Sequence, residues 1–550
     1  MIALGLVATG WAAWPTFGHD ARRTGQADVS GPAEVLDAIE VPLADGLAVN
    51  MPAVVGPDGV AYVGTWGVIR SGGSEDRSTW DKLDGQLYAL DADGSARWTF
   101  TPDPVPYCYA YDGRSDPDNC PDGGAWNYYN GTVEGTPALV DGVLYVGRGD
   151  GKLYAIDAET GERVWTFTTF NPEDPDDPEG GGEIIGGPVV DGDGVIYFGT
   201  VAAGEHETNA IYAVHPDGRL RWRYPADAAS LDAIIEAPPA LSPDGATVYV
   251  ASAFGPTVDR FDPTVGGTLY AFDTSADGEA VLRWSVSPIN AGEWWAPVVW
   301  ITRLAVGSDG TIYAGGGEYT LGGGSAVVYA WDEDGGAAWD SYADVDRDEA
   351  AFVLGLALRE EDGATTAVLA TSTNLYSFGY PDGGALVALD PGSGDLQWSF
   401  DPAAHGLSGG MTGLSVDADG RIYTGTSGAT DGGTVVALDA DGGLRWTYAL
   451  DGLLEWSHPV LAGDGRLVVA DTQRCLSMIW PVETASCDDA VGPPQVVILS
   501  GDPAPKPEPG CGCAATGAPA WTGLLAIAAL IAQRRTVRPS TTQVQPSTAP

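Results

Sequence analysis

Six cysteines, five histidines and 76 acidic side chains are the groups in this 550-residue chain that could do chemistry. Asp344, Asp346 and Asp348 alternate along the chain, as carboxylates do in a loop that wraps calcium. The stretch lacks the glycine and the distant glutamate of an EF-hand, so a solvated acidic loop and a loose calcium site both stand as readings. The histidines (His19, His206, His215, His405 and His458) fall in no H-E-x-x-H motif, and none sits with a serine or cysteine in a nucleophile motif. Hydrolase chemistry is unsupported. Cys108 with Cys120, and Cys475 with Cys487, have equal spacings, and two local disulfides are the simplest pairing for an exported chain. No C-x-x-C pair offers a zinc site or a haem attachment. Two aromatic stretches suggest recognition. One holds Trp294, Trp295 and Trp300, the other Trp126, Tyr128 and Tyr129. Connecting loops carry function and tryptophan is favoured at binding hot spots, although packing between sheets is the plainer reading of the first stretch.

Charge narrows the partners. Lys and Arg number 26 against 76 Asp and Glu, a formal net charge of −50. Nucleic-acid phosphates need a basic surface, and anionic lipid heads repel an acidic one. Such a surface suits solubility outside the cell or adaptation to high salt; lysine occurs only at positions 82, 152 and 506. Pro172 to Glu179 is an acidic, proline-broken insertion that reads as a mobile loop.

The ends point to export. Residues 1–13 are apolar with small residues near their end and read as a signal segment, though without a basic start. Residues 491–510 contain a proline-rich stalk, from Pro503 to Pro509. Ala514 to Ala532 carries no charge and is followed by Arg534 and Arg535. As a helix that run reaches about 28 Å, close to the thickness of a bilayer core. Arginines after the span would stay on the cytoplasmic side, leaving the rest of the chain outside.

Internal repetition sets the fold. The clearest unit is Tyr154-Ala155-Ile-Asp157-Ala-Glu-Thr160-Gly161-Glu-Arg-Val-Trp165. Six more units place a tryptophan at the same point: Trp98, Trp222, Trp284, Trp339, Trp398 and Trp446. Each is preceded by a strand, an Asp-Gly turn and a second strand, as in Pro137 to Gly147. Four short strands repeated many times predict an all-β fold, a β-propeller of four-stranded antiparallel blades. The seven tryptophans are expected to pack blade on blade, with the Asp bonding the turn and the Gly reversing the chain. Pro459 to Ala470 starts an eighth unit without a tryptophan strand. Cys475 to Val482 is expected as its third strand and the segment Glu34 to Val41 as its outer strand, because an open edge invites aggregation. The expectation is eight blades over residues 14–490, closed by an N-terminal strand.

The spacing Ala155-x-Asp157-x-x-Thr160-Gly161-x-x-x-Trp165 resembles the tryptophan-docking motif of quinoprotein (PQQ) propellers, and Trp14 to Gly25 is similar to the start of many such chains. That resemblance implies the propeller fold and, in the dehydrogenases, PQQ beside a disulfide between adjacent cysteines, calcium held by Glu, Asn and Asp, and a catalytic Asp. Here no two cysteines are adjacent and no segment matches the calcium or base positions, so no cofactor is expected, PQQ least of all, and calcium only at the acidic loop. The non-catalytic branch resembles BamB, which binds proteins but is shorter and lipidated at an N-terminal Cys. The stalk, the Gly510-Cys511 pair, the apolar span and the paired Arg resemble MYXO-CTERM sorting tails of myxobacterial surface proteins. That implies processing within residues 511–535 and anchoring at Cys511; the extra segment 536–550, read as a disordered tail, departs from the pattern. The function expected is a monomeric, non-enzymatic scaffold or binding protein at the cell surface, with a protein or glycan partner. The alternatives are a PQQ-dependent dehydrogenase and a glycan-binding surface protein.

Overall fold

The structure, a computed structural model, describes residues 14–502 apart from 44–48, 71–80, 104–131, 173–180, 202–207, 227–230, 232–236, 254–266, 288–297, 321–322, 343–350, 375–383, 428–431, 472–493 and scattered single positions. Short apolar runs bounded by Gly or Asp-Gly turns pair into eight four-stranded antiparallel sheets. Seven are continuous in sequence: blade 1 from Val54 to Phe100, blade 2 from Ala138 to Thr168, blade 3 from Val189 to Tyr224, blade 4 from Ala240 to Val286, blade 5 from Val298 to Tyr342, blade 6 from Ala351 to Phe400 and blade 7 from Met411 to Ala449. Blade 8 joins Val460–Leu461, Leu467–Asp471 and Gln495–Ser500 to the N-terminal strand Asp37–Pro42, with Ile39 opposite Ile498. Among the described residues the only helix is the short 3-10 turn Pro402–His405.

The propeller, its eight blades and its N-terminal closing strand agree with the sequence reading. Two boundaries differ. The third strand of blade 8 is Gln495–Ser500 rather than Cys475 to Val482, so the propeller continues past residue 490 to Ser500. Val496 to Leu499 are all buried, as a strand enclosed on both faces requires, whereas Cys475 to Val482 lies outside the described residues. The closing strand begins at Asp37, three residues later than expected.

The core is divided among the gaps between neighbouring sheets. One apolar cluster joins blade 1 to blade 2 through Val54, Tyr62, Leu144 and Ile156. Corresponding clusters occupy the following gaps around the ring. The last spans blades 7, 8 and 1, with Val435, Val497 and Val63 in one cluster, and so completes the circle.

Each repeat locks to the next by one device. Asp157 accepts from the backbone N–H groups of Glu159 and Thr160, which fixes the turn before the outer strand. Gly161 then sits at φ +73°, where a Cβ would lie 2.6 Å from the Trp98 ring of blade 1. The Trp98 indole N–H donates to Ala158 O at 3.1 Å across that gap. Trp165, Trp284 and Trp339 donate likewise to Pro216, Glu333 and Pro391 of the following blade. Trp222 differs: its buried N–H has no acceptor among the described residues. In seven blades the pairing of the last two strands shifts register at the same repeat position, for example between Ala155 and Ile156. A bulge there increases local twist and re-aims the turn.

Candidate functional site at the propeller axis

Antiparallel order sorts the connections. Turns between first and second strands, and between third and fourth, emerge at one end of the ring. They are short Asp-Gly reversals, in which carboxylates such as Asp309 accept from the N–H two residues on. The second-to-third and blade-to-blade connections emerge at the other end, and the long ones are all there, including 65–86, 101–137, 252–268 and 472–494. That loop end is where a site can be elaborated without disturbing the sheets.

The turn end is closed by residues 14–31, a strap laid across the innermost strands. Trp14 pairs with Val55 of blade 1, and Pro15 O accepts from Leu139 N of blade 2. Ala21, Arg22 and Thr24 carbonyls accept from Leu241, Val306 and Leu358 of blades 4, 5 and 6, and Gly25 O from Val416 of blade 7. Arg23, 1% exposed, fills the axis. Its guanidinium donates to Pro188 O and Pro239 O of blades 3 and 4 and to Thr16 Oγ1 and Phe17 O of the strap, at 2.6–2.9 Å. Burial lowers its pKa to about 9, which leaves it charged at neutral pH. Arg22 forms a fork with Glu360 at 2.9 and 2.8 Å, and Glu360 also accepts from Ser308 N.

Above the strap, four blades contribute to one cluster. Phe17 lies 5.0 Å from the guanidinium carbon of Arg303, on the innermost strand of blade 5, in cation–π geometry. His458, just ahead of the innermost strand of blade 8, meets the same ring edge-on at 6.2 Å. His458 is fully enclosed, and a Cβ on Gly413 of blade 7 would strike its ring. Burial, with the Arg303 charge beside it, lowers the His458 pKa to about 3, so the imidazole is neutral. Thr302 binds blade 5 to blade 6 through its hydroxyl, which donates to Val353 O at 2.6 Å. Three residues nearer the loop end than Arg303, Trp300 stacks on Phe352 of blade 6 at 5.4 Å, and Phe352 meets Trp456 at 5.7 Å. Trp300 and Trp456 are partly exposed. The axis therefore presents an aromatic wall at its loop end, with a buried guanidinium and a neutral imidazole beneath.

Of the recognition residues read from sequence, Trp300 lies in this cluster. Trp294, Trp295, Trp126, Tyr128 and Tyr129 lie outside the described residues, as do Asp344, Asp346, Asp348, Cys108, Cys120, Cys475, Cys487 and Cys511. The seven docking tryptophans lie in the gaps between blades and not at the axis. Phe17, Arg303, His458, Phe352 and Trp456 were missed. The available signal was the Thr302-Arg303 pair, which interrupts an otherwise apolar run on an innermost strand. Among the described residues no three His, Cys, Asp or Glu converge as metal ligands, and no helix is long and apolar enough to cross a membrane.

Two segments of the chain match known families. Residues 122–223 match the family described as the glucose/ethanol/alcohol dehydrogenase β-propeller domain. Residues 382–485 match that described as outer membrane protein assembly factor BamB. The chain carries PQQ-type propeller repeats. Quinoprotein ethanol dehydrogenase of Pseudomonas aeruginosa is 26% identical over 368 residues, 64% of this chain and 55% of the relative. Its counterpart from Pseudomonas putida is 26% identical over 388 residues, 67% and 58%. BamB of Xanthomonas campestris pv. campestris is 32% identical over 91 residues, 16% and 21%. The PQQ-type propeller thus spans little more than half the length of the quinoprotein relatives. Quinohemoprotein alcohol dehydrogenase from Comamonas testosteroni superposes with a TM-score of 0.58 at 17% identity, covering 91% of this chain and 82% of that one. At that identity the likeness is one of fold.

These matches correct three expectations: the non-catalytic scaffold, the absence of enzymatic activity and the dismissal of PQQ. Similarity to the dehydrogenases runs along about two thirds of the chain, while the BamB likeness covers a short stretch. The repeat motif serves packing in both branches, so it could not separate them. Adjacent cysteines and a matching calcium segment are features of individual relatives, and their absence does not separate the two branches.

Proposed function

We propose that this chain is an exported quinoprotein-type oxidoreductase that oxidises an alcohol. The observation that carries the reading is similarity to quinoprotein ethanol dehydrogenases along about two thirds of the chain. The axial cluster supports it in part. A flat quinone bearing carboxylates suits an aromatic face and a buried cation, which Trp300 and Arg303 supply. Arg303 is the cation beside Phe17 and the neutral His458 in that cluster. When bound, the quinone supplies two-electron oxidation. Trp300 and Arg303 would hold and orient it, and the strap covers the turn end of the axis. The metal half of a quinoprotein site has no counterpart among the described residues.

The address follows the same reading. A relative named for outer-membrane assembly fits an envelope location, and the tail from Cys511 through the 514–532 span is proposed as the anchor.

The test is reconstitution. Purified protein incubated with PQQ and calcium, or a lanthanide, is expected to reduce an artificial acceptor dye when ethanol or another primary alcohol is added. PQQ that neither binds nor supports dye reduction with any alcohol would sink the proposal.

A further inference from the structure

We infer that the N-terminal strap is part of the site and not only a plug: Phe17 is a positioning residue that sets the Arg303 guanidinium. The inference rests on the quinoprotein reading only for the ligand Arg303 would meet. The placement itself stands on geometry. The strap touches the innermost strands of blades 1 to 7, so it docks fully only on a closed ring. Its own backbone is tied down by left-handed turns at Gly18, His19, Arg23 and Gly25, and the Phe17 carbonyl accepts from the Arg23 guanidinium. Arg303 lies at a bulge, between Ile301 and Arg303, where its strand slips register against its neighbour. The regular sheet does not dictate the aim of a side chain at such a point. Arg303 Nη1 donates to the Thr302 carbonyl at 2.8 Å, and the Phe17 ring, packed against both Arg303 and His458, sets the face on which the guanidinium rests. The same N-terminal segment continues into Asp37–Pro42, which closes blade 8. Ring closure and the seating of Phe17 on Arg303 therefore depend on the same N-terminal segment.

Three variants of the full chain test this. Phe17→Leu fills the space without a π face, Phe17→Tyr keeps the face, and Arg22→Met loosens the strap at Glu360, away from the axis. PQQ affinity, read by tryptophan quenching, is expected to fall about tenfold in Phe17→Leu and to recover in Phe17→Tyr, with Arg22→Met near wild type. Hydrogen exchange provides a readout that needs no cofactor. Phe17→Leu is expected to speed exchange in residues 298–306 and 456–461, and Arg22→Met only around Val306, Ser308 and Leu358. If wild-type protein binds no PQQ, the quinoprotein reading fails while the exchange pattern still decides the role of Phe17. Equal effects of Phe17→Leu and Arg22→Met in the exchange experiment, or no change at residues 298–306 in Phe17→Leu, would overturn the inference.

Discussion

The indole N–H of Trp446 donates to the backbone carbonyl of Pro32 at 3.2 Å, across 414 positions of sequence. In blades 1, 2, 4 and 5 the docking tryptophan finds its acceptor in the turn before the outer strand of the next blade. Blade 8 has no such turn, because its third and fourth strands come from opposite ends of the chain. Pro32, five residues ahead of the closing strand, takes its place. Trp446→Ala is therefore expected to cost about 3 kcal/mol, as much as Trp165→Ala, and not the smaller loss of an open seam. Denaturant unfolding of the two variants compares them directly. A Trp446→Ala loss under about 0.5 kcal/mol would mean that the closing slot is not packed like the others.

Gly161 and Gly142 separate backbone strain from collision. Both have positive φ, +73° and +79°, but a Cβ at Gly142 meets nothing within 4 Å whereas one at Gly161 lies 2.6 Å from the Trp98 ring. Gly142→Ala should cost about 1 kcal/mol for the left-handed conformation alone. Gly161→Ala should cost about 2 kcal/mol or more, since the indole must shift as well. Equal losses would show that the ring yields freely.

Arg23 is buried and held by four carbonyl or hydroxyl acceptors from two blades and the strap. Arg23→Met strands those acceptors and is expected to lower stability by about 3 kcal/mol or more. Arg23→Lys should recover little of this, since a single ammonium cannot reach acceptors on opposite sides of a planar fork. Full recovery by lysine would mean that charge alone, without geometry, holds the strap.

Two buried groups oppose each other in acid. Burial raises the Asp471 pKa to about 6, against the N–H groups of Gly452 and Gln495 that bond its carboxylate. The folded protein therefore holds that proton more tightly than the unfolded chain, and this contribution is present at low pH and lost as pH rises through about 6. For His458, lowered to about 3, the unfolded chain binds the proton more tightly. Its contribution is present above the ordinary histidine pKa of about 6.5 and declines as pH falls toward 3. Between pH 4 and 6 the two slopes offset each other. Asp471→Asn should make melting temperature fall more steeply on acidification than in wild type, and His458→Gln less steeply. Parallel pH profiles for all three proteins would contradict this.

Much of the architecture can be read from the chain. Tyr154-Ala155-Ile-Asp157 and its six counterparts specify a strand, a turn and a docking tryptophan by contacts within a few residues or with the next repeat, so the blades and their packing follow from local spacing. Blade 8 was only partly legible. Its count could be inferred from the unit left over, but Gln495–Ser500 stands far in sequence from Leu467–Asp471 and carries no repeat signature beyond its apolar run. What the sequence could not convey is the axis. Phe17, Arg303, His458 and Trp300 belong to the strap and to blades 5 and 8, and their meeting depends on closing eight sheets into a circle. Spacing along a chain records neighbours within a repeat; it holds no measure of the distance across a ring, so the blades were written in the sequence and the site at their centre was settled by tertiary closure.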